Sequence, residues 1–255
     1  HAIDATGRYV MCSNYGGGSW CMHPIAEDGS LVEMCDFRQH EGSGPTPRQS
    51  SPHPHSINIS ADNRYVHIAD LGMDEIVAYR LDLEAGKLVD HGTTHAAPGA
   101  GPRHFAFHPN NRYGYLINEI GNTITVYTHD AAAGTLSEIQ DISTIPDDFE
   151  GDTFTATLRF GAGGRFLYGS NRGYHSIAIY TVAADGRLTL LGFEKVPDTP
   201  RDFNLDLTGR YLYSGGHSTD VVVIFGVNQE TGLLTLTGAQ LEVPSPVCMA
   251  FLNLD

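Results

Sequence analysis

Two positions of a five-fold internal repeat carry the residues of this chain that could do chemistry. At one stand His55, Arg103, Ala156 and Arg201, and at the other Tyr15, Leu71, Glu119, Arg172 and His217. Positions that only built a scaffold would repeat like the rest of the unit. These instead carry imidazole, guanidinium and carboxylate groups in a chain that is otherwise strongly acidic. Converging arginines beside one carboxylate and one or two imidazoles suit an anion whose bond is to be polarised. The guanidiniums hold negative charge, and an imidazole or carboxylate moves a proton. The bland alternative places each charge on a solvated loop beside a neighbouring acid, and it explains any single residue better than it explains the set.

The repeat that defines these positions is an Arg followed by an aromatic, a polar residue six places on, and a Gly leading into Leu about 22 places on. The anchors are Arg8, Arg64, Arg112, Arg165 and Arg210, each with Tyr9, Tyr65, Tyr113, Phe166 or Tyr211 behind it. Asn14, Asp70, Asn118 and Asn171 occupy the polar position, with Gly216 the exception, and the glycines are Gly29, Gly86, Gly134, Gly186 and Gly232. Anchor spacings of 56, 48, 53 and 45 residues, with no long 3.6-residue period, predict an all-β chain of four-stranded propeller blades. The third unit predicts strands over 104–108, 112–118 and 123–129 and an outermost strand from Thr135. In such a meander alternate turns share one end. The loop entering the first strand and the loop after the second would therefore carry the two chemical positions onto one rim.

At 255 residues and 41% hydrophobic, with 29 Gly and 13 Pro, the chain can bury a sizeable core and supply many tight turns, so one propeller domain over 1–255 is expected. The residues before Arg8 read as the first strand of a unit. The expectation is therefore a seven-bladed propeller lacking its N-terminal part, with an unpaired inner edge. Thirty acidic against 15 basic side chains give a formal charge of −15, which opposes nucleic acid and anionic membranes. No apolar run approaches the roughly 20 residues of a membrane span. Cys12, Cys21, Cys35 and Cys248 lack CxxC spacing and read as free thiols in a reducing cytoplasm.

Several ordered stretches resemble the lactonase family of seven-bladed propellers, which includes the propeller type of 6-phosphogluconolactonase and the fungal carboxymuconate cyclases. They are Arg48-Gln49, Pro52-His53-Pro54-His55-Ser56, Asp70-Leu71-Gly72, Gly99 through His104, and Asn118-Glu119. Gly164 through Tyr168, Ser170-Asn171-Arg172-Gly173 and Pro200-Arg201-Asp202-Phe203 continue the series. In the cyclase branch the resemblance implies a site at His55, Arg103, Glu119 and Arg172, four residues that the repeat also singles out. The chain departs from the family pattern at Thr157, where an acid is common, and at His175, where an Asp is common.

The resemblance implies hydrolysis of a small anionic lactone, 6-phosphogluconolactone foremost, with no cofactor. Arg103 would hold the oxyanion and His55 would take the proton of water, with Glu119 orienting His55 or acting as the base itself. Arg172 and Arg201 would grip phosphate or carboxylate, with His104 and Asn118 as further substrate contacts. A cycloisomerase that closes or opens a muconolactone would use the same residues with a proton donor in place of the base. A protein-binding propeller is the third reading, and the rim lacks the recurring aromatic anchors it would need. His53, His55, His104 and Glu119 offer metal-ligand chemistry, but two neighbouring arginines oppose a cation there. Gly16-Gly17-Gly18-Ser19 reads as a turn, since no helix follows it to cradle phosphate.

Overall fold

In the computed structural model, which describes residues 1–253, the chain is five consecutive four-stranded antiparallel sheets, each a meander in sequence order. The first contains β1 (Ala2–Ile3), β2 (Tyr9–Asn14), β3 (Ser19–Pro24) and β4 (Asp36–Gln39). The second contains β5 (Pro54–Ile59), β6 (Tyr65–Asp70), β7 (Glu75–Asp82) and β8 (Lys87–His95). The third contains β9 (Pro102–Phe107), β10 (Tyr113–Asn118), β11 (Thr123–Asp130) and β12 (Thr135–Ser143). The fourth contains β13 (Phe154–Phe160), β14 (Phe166–Arg172), β15 (Ser176–Val182) and β16 (Leu188–Lys195). The fifth contains β17 (Pro200–Leu205), β18 (Tyr211–Gly216), β19 (Val221–Val227) and β20 (Leu234–Glu242). The strands expected in the third unit are present, with the first one displaced two residues toward Pro102.

Two compact units make up the chain. One holds His1–Gly121 with Tyr127–Ile139, and the other holds Asn122–Val126 with the chain from Gln140 onward. In the first unit, Met11, Trp20 and Met22 of the first sheet pack against Ile57, Val66, Ile68 and Tyr79 of the second. Ala69 and Ile76 of the second sheet then meet Phe105, Leu116, Tyr127 and Leu136 of the third. In the second unit, Phe166, Tyr168, Ile177 and Ile179 pack on Phe203, Leu212, Phe225 and Leu234. Each such side chain fully removed from water stabilises the fold by roughly 1.5–3 kcal/mol. The second strands β6 and β10 are buried along their whole length, whereas the outer strands β8 and β20 are largely exposed.

The repeat signature is the latch between neighbouring sheets. Arg8, Arg64, Arg112 and Arg165 each lie over the following ring, 5.3 to 5.6 Å from its centroid. Arg64 also donates from Nη2 to the carbonyl of Ala131 at 2.6 Å, in the last turn of the next sheet. The ring reaches the same turn. Tyr9 abuts Gly86, Tyr65 abuts Gly134 and Phe166 abuts Gly232, with φ of 63°, 68° and 74° at the three glycines. Glycine is needed there twice over, for the left-handed backbone and for the space the ring fills.

His67 on β6 is 1% exposed, stacked at 5.9 Å on Phe105 and near His129 and Phe107. Burial, reinforced by His129, lowers its pKa from 6.5 to about 4, against the opposing bond of its Nε2 to the Gly134 carbonyl.

Two outcomes follow for stability. Gly134→Ala places a Cβ 2.5 Å from the Tyr65 ring at φ 68°, whereas Gly29→Ala, at φ 83°, meets nothing within 4 Å. Chemical denaturation should therefore show Gly134→Ala the costlier of the two by the ~1–3 kcal/mol of overpacking. Equal costs would refute the latch. For His67, the unfolded chain binds a proton near pH 6.5 that the folded chain refuses until about pH 4. Its contribution is thus fully present above pH 6.5 and falls by ~3 kcal/mol as pH drops to 4. His67→Phe should remove about one proton from the pH dependence of unfolding over that window, and an unchanged slope would contradict the assignment.

Candidate active site

Four sheets share one irregularity, and it falls on the residues singled out by type. In the second sheet Pro54 pairs with Asp70 and Ser56 with Ala69, so His55 is an extra residue without an opposite number. In the third, Pro102 pairs with Asn118 and His104 with Ile117, so Arg103 is the extra residue. In the fifth, Arg201 and Asp202 together oppose Gly215, and in the fourth Ala156 and Thr157 oppose Ser170. These are β-bulges, which bend a strand and re-aim one side chain. Pro54, Pro102 and Pro200 precede three of them and have no N–H to extend the ladder. The expectation that these residues lie in loops before the first strand is corrected: they lie within β5, β9 and β17 at a programmed break in pairing.

Two buried carboxylates fix the loops that carry the first unit's cluster. Asp70 accepts from the backbone N–H of His53 at 2.7 Å and of Gly72 at 2.9 Å, and its other oxygen lies 2.7 Å from His40 Nδ1. Gly72 has no side chain because a Cβ there would collide with the Ser51 carbonyl. Asp74, at φ 57°, accepts from Gly99 N–H at 2.6 Å, Gly101 N–H at 2.8 Å and Gln49 Nε2 at 2.6 Å. Gly101 in turn accepts from the backbone N–H of Glu119 at 2.7 Å. One carboxylate thereby registers the neighbours of Arg48, Arg103 and Glu119 against one another.

Within that frame each Glu119 carboxylate oxygen takes a guanidinium. Arg103 donates from Nε to Oε2 at 2.7 Å, and Arg48 donates from Nη2 to Oε1. Arg103 and Glu119 are 2% and 4% exposed, while the Arg48 side chain is 41% exposed. Burial by itself lowers the Arg48 pKa, but the Glu119 carboxylate and the Tyr15 hydroxyl hold it above its ordinary value. Arg103 Nη1 lies 3.1 Å from His104 Nε2. A guanidinium can only donate, so that nitrogen accepts and His104 is a neutral imidazole. Rings then continue outward, with His104 edge-on to His55 at 5.2 Å, His55 edge-on to Tyr15 at 5.4 Å, and Tyr15 stacked on His53 at 4.5 Å. His53 Nδ1 donates to the Tyr15 carbonyl at 2.9 Å.

The first unit thus assembles His55, Arg103, His104, Asn118 and Glu119, and adds Arg48, Tyr15 and His53. Asn118 is 1% exposed at the end of β10. Its repeat equivalents hold protein: Asp70 as above, and Asn171 by bonding Thr144 and Ser176. Among the described residues, no group of three or more His, Cys, Asp or Glu is placed to hold a metal ion.

The second unit carries Arg172 and Arg201. Arg172, half-buried at the end of β14, donates from Nη2 to the Thr155 carbonyl at 2.8 Å, and Arg201 is exposed on β17. The two departures from the family pattern have local partners. Thr157 donates to Asp202 at 3.0 Å, where a carboxylate would repel it, and His175 Nδ1 accepts from Thr199 N–H at 3.1 Å.

Arg48 is the functional candidate that repeat comparison missed. It lies in a 3₁₀ turn, Pro47–Gln49, ahead of β5, whereas the other 3₁₀ turn among the described residues, Ala162–Gly164, lies between β13 and β14. Its signal in the sequence is its place in the Arg48-Gln49 stretch of the family resemblance alone.

Comparison with known proteins agrees with this architecture. Residues 1–251 match the family described as lactonase, 7-bladed beta-propeller. A 6-phosphogluconolactonase of Bacillus subtilis is 38% identical over 99% of this chain and 72% of its own length. A crystal structure of a Lactobacillus plantarum protein superposes with a TM-score of 0.95 at 34% identity, over 99% of this chain and 73% of that one. The periplasmic gluconolactonase of Pseudomonas aeruginosa gives 0.94 at 30% identity, over 99% and 72%. The five meanders are propeller blades, and the chain belongs to the seven-bladed β-propeller lactonase family.

Proposed function

We propose that this chain hydrolyses a sugar lactone, 6-phosphogluconolactone to 6-phosphogluconate, the ring-opening step of the pentose phosphate pathway. The observation that carries the reading is the buried Arg103–Glu119 pair beside His104 and His55. Attack of water on a lactone carbonyl needs a donor for the developing oxyanion and an acceptor for the water's proton. A guanidinium already fixed at Nε and Nη1 loses little freedom when it donates to that oxygen, so its stabilisation is preorganised. Glu119, with a guanidinium on each oxygen, is held as the charged form and is a weak base. His55 is therefore the proton acceptor, and Glu119 aims the arginines.

Two arginines sharing one carboxylate leave a net positive charge in a chain of formal charge −15, which favours an anionic substrate. Arg172 and Arg201 stand at the repeat positions of Glu119 and Arg103 in their own blades. Relatives named 6-phosphogluconolactonase, in Bacillus subtilis and in Pectobacterium carotovorum, support this substrate over a muconolactone. A reducing cytoplasm is supported by four free cysteines. Among the described residues, no helix is long and apolar enough to cross a membrane.

The test is steady-state hydrolysis of 6-phosphogluconolactone by wild type and two variants. His55→Ala should lower kcat by roughly 10²–10⁴ with KM little changed, and Arg103→Ala should lower kcat by roughly 10²–10³ as the oxyanion donor is lost. Wild-type kcat in His55→Ala would exclude His55 as the base. Turnover of carboxymuconolactone but not of 6-phosphogluconolactone by the wild type would replace hydrolysis by cycloisomerisation.

A further inference from the structure

We propose that Arg48 and Tyr15 form a phosphate subsite that makes this enzyme select the phosphorylated over the unphosphorylated sugar lactone, an inference that rests on the hydrolytic reading above. The two arginines on Glu119 are not equivalent. Arg103 is sealed at 3% side-chain exposure, whereas Arg48 keeps 41% of its side chain in solvent while bonded to the same carboxylate. An arginine serving only to neutralise Glu119 would gain most by being buried with it, as Arg103 is. Arg48 instead presents a charged fork outward beside Tyr15, a residue itself 39% exposed.

The surroundings are built rather than loose. Gln49, next to Arg48, is 0% exposed and tied by Nε2 to Asp74 at 2.6 Å and to the Leu71 carbonyl at 2.9 Å, so the 3₁₀ turn cannot drift. Tyr15 is fixed by its stack on His53 and by the bond from His53 to its carbonyl. The pair thus offers a planar guanidinium and a phenolic hydroxyl, both preorganised, and both can donate to phosphate oxygens. The guanidinium fork suits a phosphate better than a point charge does.

Position relates the subsite to the chemistry. Tyr15 is edge-on to His55, and Arg48 is separated from Arg103 by one carboxylate. A lactone whose carbonyl sits at Arg103 and His55 would carry a group at the far end of its sugar toward Arg48. Arg103 is then spent on the reacting oxygen common to every lactone, and Arg48 reads the substituent that differs between them. Among the described residues no other blade has a 3₁₀ turn ahead of its first strand, as expected of a residue that recognises one end of an asymmetric ligand.

Two measurements on the whole chain test this. In the first, kcat/KM is compared for 6-phosphogluconolactone and glucono-1,5-lactone in wild type, Arg48→Lys, Arg48→Gln, Tyr15→Phe and Arg201→Ala, with thermal melts to verify folding. Arg48→Gln should lower kcat/KM for the phosphorylated lactone at least tenfold more than for the unphosphorylated one. Arg48→Lys should fall between Arg48→Gln and wild type, and Tyr15→Phe should show a smaller loss of the same selectivity. Equal losses on both substrates would overturn the proposal and leave Arg48 as a positioning residue for Glu119. So would a selectivity that follows Arg201 and not Arg48. In the second, calorimetry compares binding of 6-phosphogluconate and gluconate, which needs no turnover. Tighter binding of the phosphorylated acid that is lost in Arg48→Gln supports the subsite even if hydrolysis were absent. Equal affinity of wild type for the two acids would refute it.

Discussion

Glu119 is a carboxylate removed from water and held between two guanidiniums, and that arrangement constrains everything near it. Ionised groups buried together recover their desolvation cost only when geometry is accurate and the remaining donors and acceptors are satisfied. Accuracy here comes from other buried carboxylates. Asp74 ties the turn that bears Arg48 to the loop that precedes Arg103, and Gly101 of that loop receives the backbone N–H of Glu119. Asp70 does the same for the entry to β5, where His55 lies. The bulges then turn His55 and Arg103 out of the strand ladder at the point where proline has already ended it. Loop, bulge and ion pair are one construction, and loosening any part would leave a charge in the interior without compensation.

The scaffold that permits this is made by repetition. The aromatics Tyr9, Tyr65 and Phe166 at the start of three second strands grip the glycine turn of the following sheet, so neighbouring blades within a unit are registered by the same contact. A fold specified that way can vary the two chemical positions from blade to blade, since the latch does not use them. Ala156 shows the freedom: it occupies the bulge in the fourth sheet with no chemistry and is fully buried.

What could be read from the sequence followed from that division of labour. The period of the Arg-aromatic anchors and the glycines predicted four-stranded units, and in the third unit the strand limits fell within two residues, because turn chemistry and alternation are local. His55, Arg103, Glu119, Arg172 and Arg201 were visible because they break the pattern of an otherwise repeating unit. Register was not legible. A bulge depends on which residue lies opposite, and the expectation of loops at His55 and Arg103 failed for that reason. Burial was equally hidden: nothing in the residue types told that Arg103 and Asn118 would be 2% and 1% exposed. Arg48 and Asp74 escaped because comparison between units finds only what has an equivalent in other units. Their roles arise from contacts across 71 and 25 residues of chain, Arg48 to Glu119 and Asp74 to Gln49.

The central claim is a division of roles in which His55 moves the proton and Glu119 fixes the arginines without titrating. The pH dependence of kcat/KM for Glu119→Gln measures this most directly. Glutamine keeps the size of the side chain but removes its charge. The account predicts a variant of much reduced rate whose acidic limb remains in the imidazole range, around 6.5. Disappearance of that limb in Glu119→Gln, with its persistence in His55→Gln, would show that Glu119 is the base and contradict the account.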